Sequence, residues 1–91
     1  MAKQQRIVNF RGNVQGVGFR FTACRIAGNY DVTGYVRNLP DGSVEALVEG
    51  EAAEIDQFLA DLAESFQDYI RKQTQQIAPY TGSFTAFGVR Y

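Results

Sequence analysis

Apolar residues change their spacing several times in this sequence, and each change marks a predicted element. Between residues 5 and 14 apolar and polar side chains alternate, which is typical of a strand with one buried face. That face is predicted to carry Val8, Phe10, Gly12 and Val14. From residue 23 the spacing becomes helical, and the apolar stripe consists of Ala23, Ile26, Ala27 and Tyr30. We expect this helix to end near Asn29 and Asp31, because both residue types tolerate the left-handed conformation of many helix ends.

The rest of the sequence predicts a second helix and four further strands. In chain order these are strands at residues 33–38 and 43–49, a helix at 52–65, and strands at 69–77 and 83–91. Residues 39–42 read Leu-Pro-Asp-Gly, a turn in which proline presets one φ and glycine supplies a positive one. The second helix has the clearest apolar stripe: Ile55, Phe58, Leu59, Leu62 and Phe66.

The order of these elements predicts the fold class. A β-α-β-β-α-β order with one extra C-terminal strand is the ferredoxin-like split βαβ arrangement of the α+β class. Two helices would cover one face of a mainly antiparallel sheet, and the other face would meet solvent. With 91 residues, the chain is expected to form one domain over residues 1–91.

Composition excludes several classes of function. Nine Lys plus Arg and ten Asp plus Glu give a net charge of −1, and the basic residues are scattered. The sequence therefore lacks the basic stripe that nucleic-acid backbones require. Because it contains no histidine, zinc sites and histidine acid–base catalysis are excluded. Cys24 has no thiol to pair with and no histidine to activate it, so we interpret it as a packing residue.

Hydropathy bears on location. No stretch approaches the ~18 apolar residues of a membrane span, and residues 1–6 lack the apolar segment of a signal peptide. We therefore expect a cytoplasmic protein without a membrane partner. Net charge and size give no reason for assembly, so we expect a monomer.

The segment RGNVQGVGFRF, residues 11–21, is the first candidate for chemistry. Glycines at positions 12, 16 and 18 allow successive main-chain N–H groups to turn inward, and a helix N-terminus follows them. Such a cradle suits a phosphate-like anion. Arg20 closes it and can supply a planar, charged fork of donors.

The predicted topology brings a second residue to this loop. Strands that flank a crossover helix run parallel, so their C-terminal ends lie at the same edge of the sheet. Arg20 follows the first strand and Asn38 ends the second, which is why we expect them at one rim. Taken singly, the glycine turn, the arginine and the asparagine are each explained by ordinary turn or surface structure. Their predicted convergence favours an anion site.

Two stretches carry a family resemblance. GNVQGVGFR (residues 12–20) together with GYVRNLPDGSVEALVEG (residues 34–50) resembles the acylphosphatases, small enzymes that hydrolyse the carboxyl–phosphate bond. The resemblance extends to the closing TGSFTAFGVRY and implies the same ferredoxin-like fold without metal or organic cofactor. It departs at Tyr30-Asp31-Val32, where the family usually has Leu-Gly-Leu, so Asp31 is expected to take the position of a glycine.

The resemblance also implies roles for individual residues. Arg20 matches the catalytic arginine that binds the phosphoryl group, and Asn38 matches the asparagine that orients the attacking water. The phosphoryl group would also be bound by the loop amides of Gln15, Gly16, Val17, Gly18 and Phe19. An acyl phosphate is then the substrate, and inorganic phosphate is both product and competitor.

Two other classes of function stay open from the sequence. One is a non-catalytic anion-binding or regulatory module, since ferredoxin-like folds host many functions. The other is a platform for single-stranded RNA on the open sheet face, with Tyr35 or Tyr69 as stacking aromatics.

Overall fold

The computed structural model describes residues 2–91 and contains two helices and five strands. Their bounds are β1 Lys3–Gly12, α1 Phe19–Ala27, β2 Val32–Asn38, β3 Val44–Glu51, α2 Ala52–Ser65, β4 Ile70–Pro79 and β5 Phe87–Val89. The bounds predicted for α2 agree at both ends, and those for β1 to β4 differ by at most two residues.

The five strands form one sheet in the order β4-β1-β3-β2-β5. Neighbouring strands pair antiparallel except β2 and β5, which run parallel. Both helices pack on this sheet, so the predicted α+β class is confirmed. Because β1 and β2 both run antiparallel to β3, which lies between them, they are parallel to each other and end at the same edge.

The core lies between the helices and one face of the sheet. Alternate positions of the three central strands contribute fully buried side chains, as the sequence alternation predicts: Val8, Phe10, Val36, Val44, Ala46 and Val48. The predicted stripe of α2 is buried in full: Ile55, Phe58, Leu59, Leu62 and Phe66. Neither helix of the described chain has the length and apolar character that a membrane crossing requires.

Two details of the predicted elements are wrong. Helix α1 ends without a left-handed residue, since no non-glycine residue between positions 2 and 91 has a positive φ. Instead, the amides of Asn29 and Tyr30 donate to carbonyls three residues back, and Asp31 does not take a glycine-like conformation. The last strand is also shorter than predicted: only Phe87–Val89 pairs, because residues 80–86 run across the sheet from one edge to the other.

This crossing segment corrects the expectation of a solvent-exposed second face. Thr81 and Gly82 contact Glu49 of β3, whose side chain is only 1% exposed. Tyr35, proposed above as an exposed stacking aromatic, is buried: Phe84 packs 6.0 Å from its ring and the Arg90 guanidinium lies 4.0 Å from it. We call residues 80–86 the strap.

Glu49 accepts four hydrogen bonds, three of them from the strap and one from Gln5 of β1. Its carboxylate accepts from the Gln5 amide (2.8 Å), the Thr81 hydroxyl (2.8 Å), the Thr81 main-chain N–H (2.9 Å) and the Gly82 N–H (3.1 Å). Burial alone would raise the pKa of Glu49, but these donors outweigh it and hold the pKa below its usual value.

We predict that Glu49 makes stability fall at acid pH. Its pKa is lower in the folded than in the unfolded chain, so its contribution is complete above the unfolded pKa of about 4.3 and is lost as the pH falls through the folded value. Urea titrations between about pH 3 and about pH 7 should show a shallower acid-side loss of unfolding free energy in Glu49→Gln than in wild type.

The matched control is Glu64→Gln, at an exposed position on α2. It should keep the wild-type pH dependence. The same slope in wild type and Glu49→Gln would contradict the assignment of this effect to Glu49.

Candidate active site

The loop between β1 and α1 has the backbone of an anion cradle. Gly16 and Gly18 both have φ of 78°, while Val17 between them does not have a positive φ. Alternation of this kind turns successive N–H groups toward one side, forming a concave nest. A Cβ at Gly16 or Gly18 would meet no atom within 4 Å, so the positive φ, and not lack of space, is what requires glycine here.

Five successive amides of this loop find no acceptor in the described structure. Among residues 2–91, the N–H groups of Gln15, Gly16, Val17, Gly18 and Phe19 donate to no protein acceptor. The nearest loop amides that do so are Asn13, which donates to Tyr69 O at 2.9 Å, and Thr22, which donates to Gly18 O at 3.0 Å. A run of unsatisfied donors at a helix N-terminus favours a negatively charged ligand.

Phe19 fixes the loop to the core. Its side chain is 2% exposed, and its ring centroid lies 5.0 Å from that of Phe10 and 4.6 Å from that of Phe66. The N-cap of α1 is Gly18, which offers no side-chain cap, and the first turn of α1 carries no acidic residue. The positive end of the helix dipole is therefore not neutralised by the chain itself.

Arg20 and Asn38 line one cleft, of about 290 Å³, together with Gly16, Gly18 and Phe19. Both side chains are half-buried. Within the described chain the ion pairs involve Arg6, Arg11 and Arg37, so the Arg20 guanidinium has no carboxylate partner there. The side chain of Asn38 makes no hydrogen bond to any residue between 2 and 91, and its amide is available to a ligand or water.

Two of the predicted binding residues do not line this cleft with their side chains. Val17 is half-buried and packs against the core. Gln15 turns its side chain to the β2–β3 turn, where its Nε2 donates to Leu39 O and to Ser43 O, both at 2.8 Å. Since Leu39 directly follows Asn38, this contact joins the glycine loop to the segment that carries the asparagine.

The β2–β3 turn is closed by hydrogen bonds of its own. Gly42, with φ of 91°, donates its N–H to Leu39 O at 3.1 Å, and the Leu39 N–H donates to Ser43 O at 2.8 Å. The Asp41 carboxylate accepts from the hydroxyl and the N–H of Ser43 and pairs with Arg11 at 3.2 Å. These hydrogen bonds, with the smaller contribution of Arg11, lower the pKa of Asp41.

The part of the chain that the structure describes contains neither a cluster of metal ligands nor a cysteine activated as a thiolate. No group of three or more His, Cys, Asp or Glu side chains there could hold a metal ion. Cys24 packs against the core, and burial raises the pKa of its thiol, which opposes a role as a thiolate.

Sequence reasoning missed three residues of the cleft: Phe21, Val89 and Tyr91. The Tyr91 ring lies 5.3 Å from the Arg20 guanidinium carbon. The parallel pairing of β2 with β5 places Val89 and Tyr91 there, since Val36 is opposite Val89 and the Arg90 N–H donates to Val36 O at 2.9 Å. The sequence did not reveal that β5 runs parallel to β2, so Val89 and Tyr91 could not be placed at the cleft. Phe21 could have been found, because it is an apolar residue directly after Arg20.

Comparison with known proteins gives a consistent family. The family model described as Acylphosphatase matches residues 6–89. A relative named Acylphosphatase from Lactobacillus johnsonii is 38% identical over 82 residues, which cover 88% of this chain and 90% of the relative. Another, from Bordetella parapertussis, is 55% identical over 49 residues, so the chain spans about half the length of that relative, 52%.

Solved structures agree. The acylphosphatase from Bacillus subtilis superimposes with a TM-score of 0.83 at 26% identity, covering 98% of this chain and 99% of that one. The family match includes both the glycine loop with Arg20 and the β2–β3 segment with Asn38. This protein belongs to the acylphosphatase family.

Proposed function

We propose that the protein hydrolyses the carboxyl–phosphate bond of acyl phosphates, releasing a carboxylate and inorganic phosphate. The observation that carries this proposal is the convergence in one cleft of loop amides, Arg20 and Asn38, none of which has a polar side-chain or main-chain partner among residues 2–91 for the groups in question. Family membership supports the same reaction.

Binding begins with the phosphoryl group in the nest. The amides of Gln15–Phe19 donate to its equatorial oxygens, and the helix dipole of α1 favours its negative charge. Arg20 donates two parallel hydrogen bonds from its planar guanidinium. Because no carboxylate among residues 2–91 pairs with Arg20, its charge is available to the ligand without first breaking an ion pair.

The chemical step needs little more than positioning. Phosphoryl transfer passes through a loose transition state whose charge lies on the equatorial oxygens, where the amides and Arg20 stabilise it. Asn38 accepts from and donates to the attacking water and holds it in line with the scissile P–O bond. The water oxygen bonds to phosphorus, the P–O bond to the acyl group breaks, and the carboxylate leaves with the electron pair.

No separate acid or base is required in this scheme. A carboxylate is a good leaving group, so it departs without protonation. The proton of the attacking water passes to an oxygen of the transferred phosphate. This agrees with a sequence that has no histidine.

Gln15 acts as a positioning residue in this proposal. Its two hydrogen bonds, each 2.8 Å, connect the anion loop to the turn that follows Asn38. The relative position of phosphorus and water then depends on this side chain, although the Gln15 side chain does not line the cleft.

The remaining expectations stay proposals of the same kind. Element order and the strand order β4-β1-β3-β2-β5 support the ferredoxin-like description of the fold. We retain a single domain over residues 1–91, a monomeric and cytoplasmic protein, and a reaction without metal, cofactor or nucleic acid.

The proposal is tested by the hydrolysis of benzoyl phosphate in the presence of a chelator. We expect turnover, with inorganic phosphate as a competitive inhibitor. In Arg20→Ala, kcat/KM should fall by at least about 10²-fold and phosphate inhibition should weaken, because charge stabilisation and binding are both lost. Arg25→Ala, an exposed arginine in the last turn of the same helix, is the control and should behave as wild type.

Two results would contradict this proposal. Equal activity of wild type and Arg20→Ala would exclude the assigned role of Arg20. Phosphate binding by the wild type without any turnover would indicate the non-catalytic anion-binding module instead.

For Asn38 we expect a separation of binding from turnover. Asn38→Ala should lower kcat by about 10²-fold or more while the inhibition constant of phosphate changes little, since the amide positions water and the loop binds phosphate. Steady-state kinetics with phosphate as inhibitor measure both. Asn29→Ala, at an exposed position outside the cleft, should leave both constants unchanged. Equal losses of phosphate affinity and kcat in Asn38→Ala would argue against a water-positioning role.

Gln15 variants test the connection between loop and turn. Gln15→Ala removes both donors and should lower kcat about 10-fold, with a smaller change in phosphate inhibition. Gln15→Glu should be worse, because it places a carboxylate against the carbonyl oxygens of Leu39 and Ser43. The exposed Gln76→Ala serves as control. A change in thermal stability alone, with kcat intact in both Gln15 variants, would make the contact purely structural.

A further inference from the structure

Large apolar side chains are concentrated at the mouth of the cleft. The described residues include six large hydrophobic side chains that are exposed, and three of them line this cleft: Phe21 (75% exposed), Val89 (37%) and Tyr91 (98%). We call these three residues the apolar rim. Exposed apolar side chains gathered at one concave site mark a binding surface more often than scattered ones do.

Two different elements bring the rim together. Phe21 lies in the first turn of α1, one residue after Arg20. Val89 and Tyr91 come from β5 and the residues after it, which follow β2 in parallel toward Asn38. The rim therefore surrounds the anion cradle as a consequence of the same topology that brings Arg20 and Asn38 together.

The charges of the cleft restrict what the rim can receive. Among the described residues that line the cleft there is no Asp or Glu side chain, and Arg20 is the one basic side chain, with its guanidinium beneath the Tyr91 ring. Once a phosphoryl group occupies Arg20 and the loop amides, a second anionic group would lose hydration without gaining a partner. An uncharged apolar group would instead gain by leaving water.

An acyl phosphate carries, beside its phosphoryl group, an acyl tail that can contact the apolar rim. Its phosphoryl group is held at the floor of the cleft, so its acyl tail must extend toward the mouth. In-line attack puts the leaving carboxylate on the side of phosphorus opposite the water at Asn38. Phe21, which α1 carries, is therefore the rim residue expected to contact the tail most, ahead of Val89 and Tyr91 beside β2.

We propose that the apolar rim is the binding subsite for the acyl group and makes the enzyme selective for acyl phosphates with uncharged, apolar tails longer than acetyl. This inference rests on the proposed function. It assigns to Phe21 a role in substrate choice that is separate from the phosphoryl chemistry.

Acetyl phosphate and hexanoyl phosphate test the proposal, because their carboxylates are leaving groups of nearly equal basicity and differ in four methylene groups. Partial burial of these methylenes predicts that wild type prefers hexanoyl phosphate by about 10-fold in kcat/KM. In Phe21→Ser the preference should fall to about 2-fold, whereas Phe21→Leu should keep most of it. Ile77→Ser, an exposed apolar position on β4 away from the cleft, should keep the wild-type ratio.

The outcomes separate the two levels of the proposal. Hydrolysis of both substrates with equal kcat/KM by wild type would overturn the acyl subsite and leave the proposed function standing. An equal loss on both substrates in Phe21→Ser would do the same. Hydrolysis of neither substrate would overturn the function and the subsite together. Because Phe21 is mostly exposed, its replacement is not expected to prevent folding.

Discussion

The site depends on a short main-chain segment whose hydrogen-bond donors meet no acceptor in the part of the protein that the structure describes. Residues 15–19 can hold this conformation because glycines 16 and 18 adopt positive φ at no steric cost and because the Phe19 ring is packed between Phe10 and Phe66. A loop without the aromatic anchor would lose its shape, and a loop without the glycines would be strained. In the proposed function, a bound phosphoryl group supplies the acceptors that these amides lack among residues 2–91.

A second requirement is a fixed distance between the glycine loop and the segment that carries Asn38, which are separate in the chain. The sheet sets it coarsely, because β1 and β2 flank β3 and end at one edge. The hydrogen bonds from Gln15 to Leu39 and Ser43 set this distance more closely. The contacts between Asp41 and Ser43 hold the β2–β3 turn that accepts them. In the proposed reaction, catalysis consists mainly of positioning, so this polar connection between loop and turn contributes beside the charge of Arg20.

Much of this arrangement could be predicted from the sequence because the signals are local. The stripe of α2 and the alternation of the central strands are each set by which face is buried, and Gly42 takes its positive φ in the predicted turn. The joint edge for Arg20 and Asn38 followed from crossover topology alone. The comparisons with known proteins confirm the family, whereas the roles of individual site residues stay predictions.

What could not be predicted depends on contacts between distant segments. The strap covers Tyr35 and Glu49. The local sequence around each of them has the alternation of an ordinary strand with one exposed face, and it gives no sign of this cover. The direction of β5 is likewise set by where the strap delivers it, and this direction decides that Val89 and Tyr91 reach the cleft. The left-handed conformation predicted for the end of α1 was wrong. The amides of Gly28 and of the two residues after it close the helix with short-range hydrogen bonds, which residue preference does not reveal.

The strap has a consequence for the dynamics of the molecule. The hydrogen-bond acceptors for the strap lie on Glu49, 32 residues earlier than Thr81, so its closure depends on a contact between distant segments of the chain. Beyond it, β5 adds just three paired residues at the end of the sheet. With so few paired residues, strap and β5 are expected to open more readily than the central strands, at the cost of the contact between Phe87 and Phe58, whose ring centroids lie 5.2 Å apart. Local opening of this unit would release Val89 and Tyr91 from the mouth of the cleft, while Phe21, the glycine loop and Arg20 stay in place.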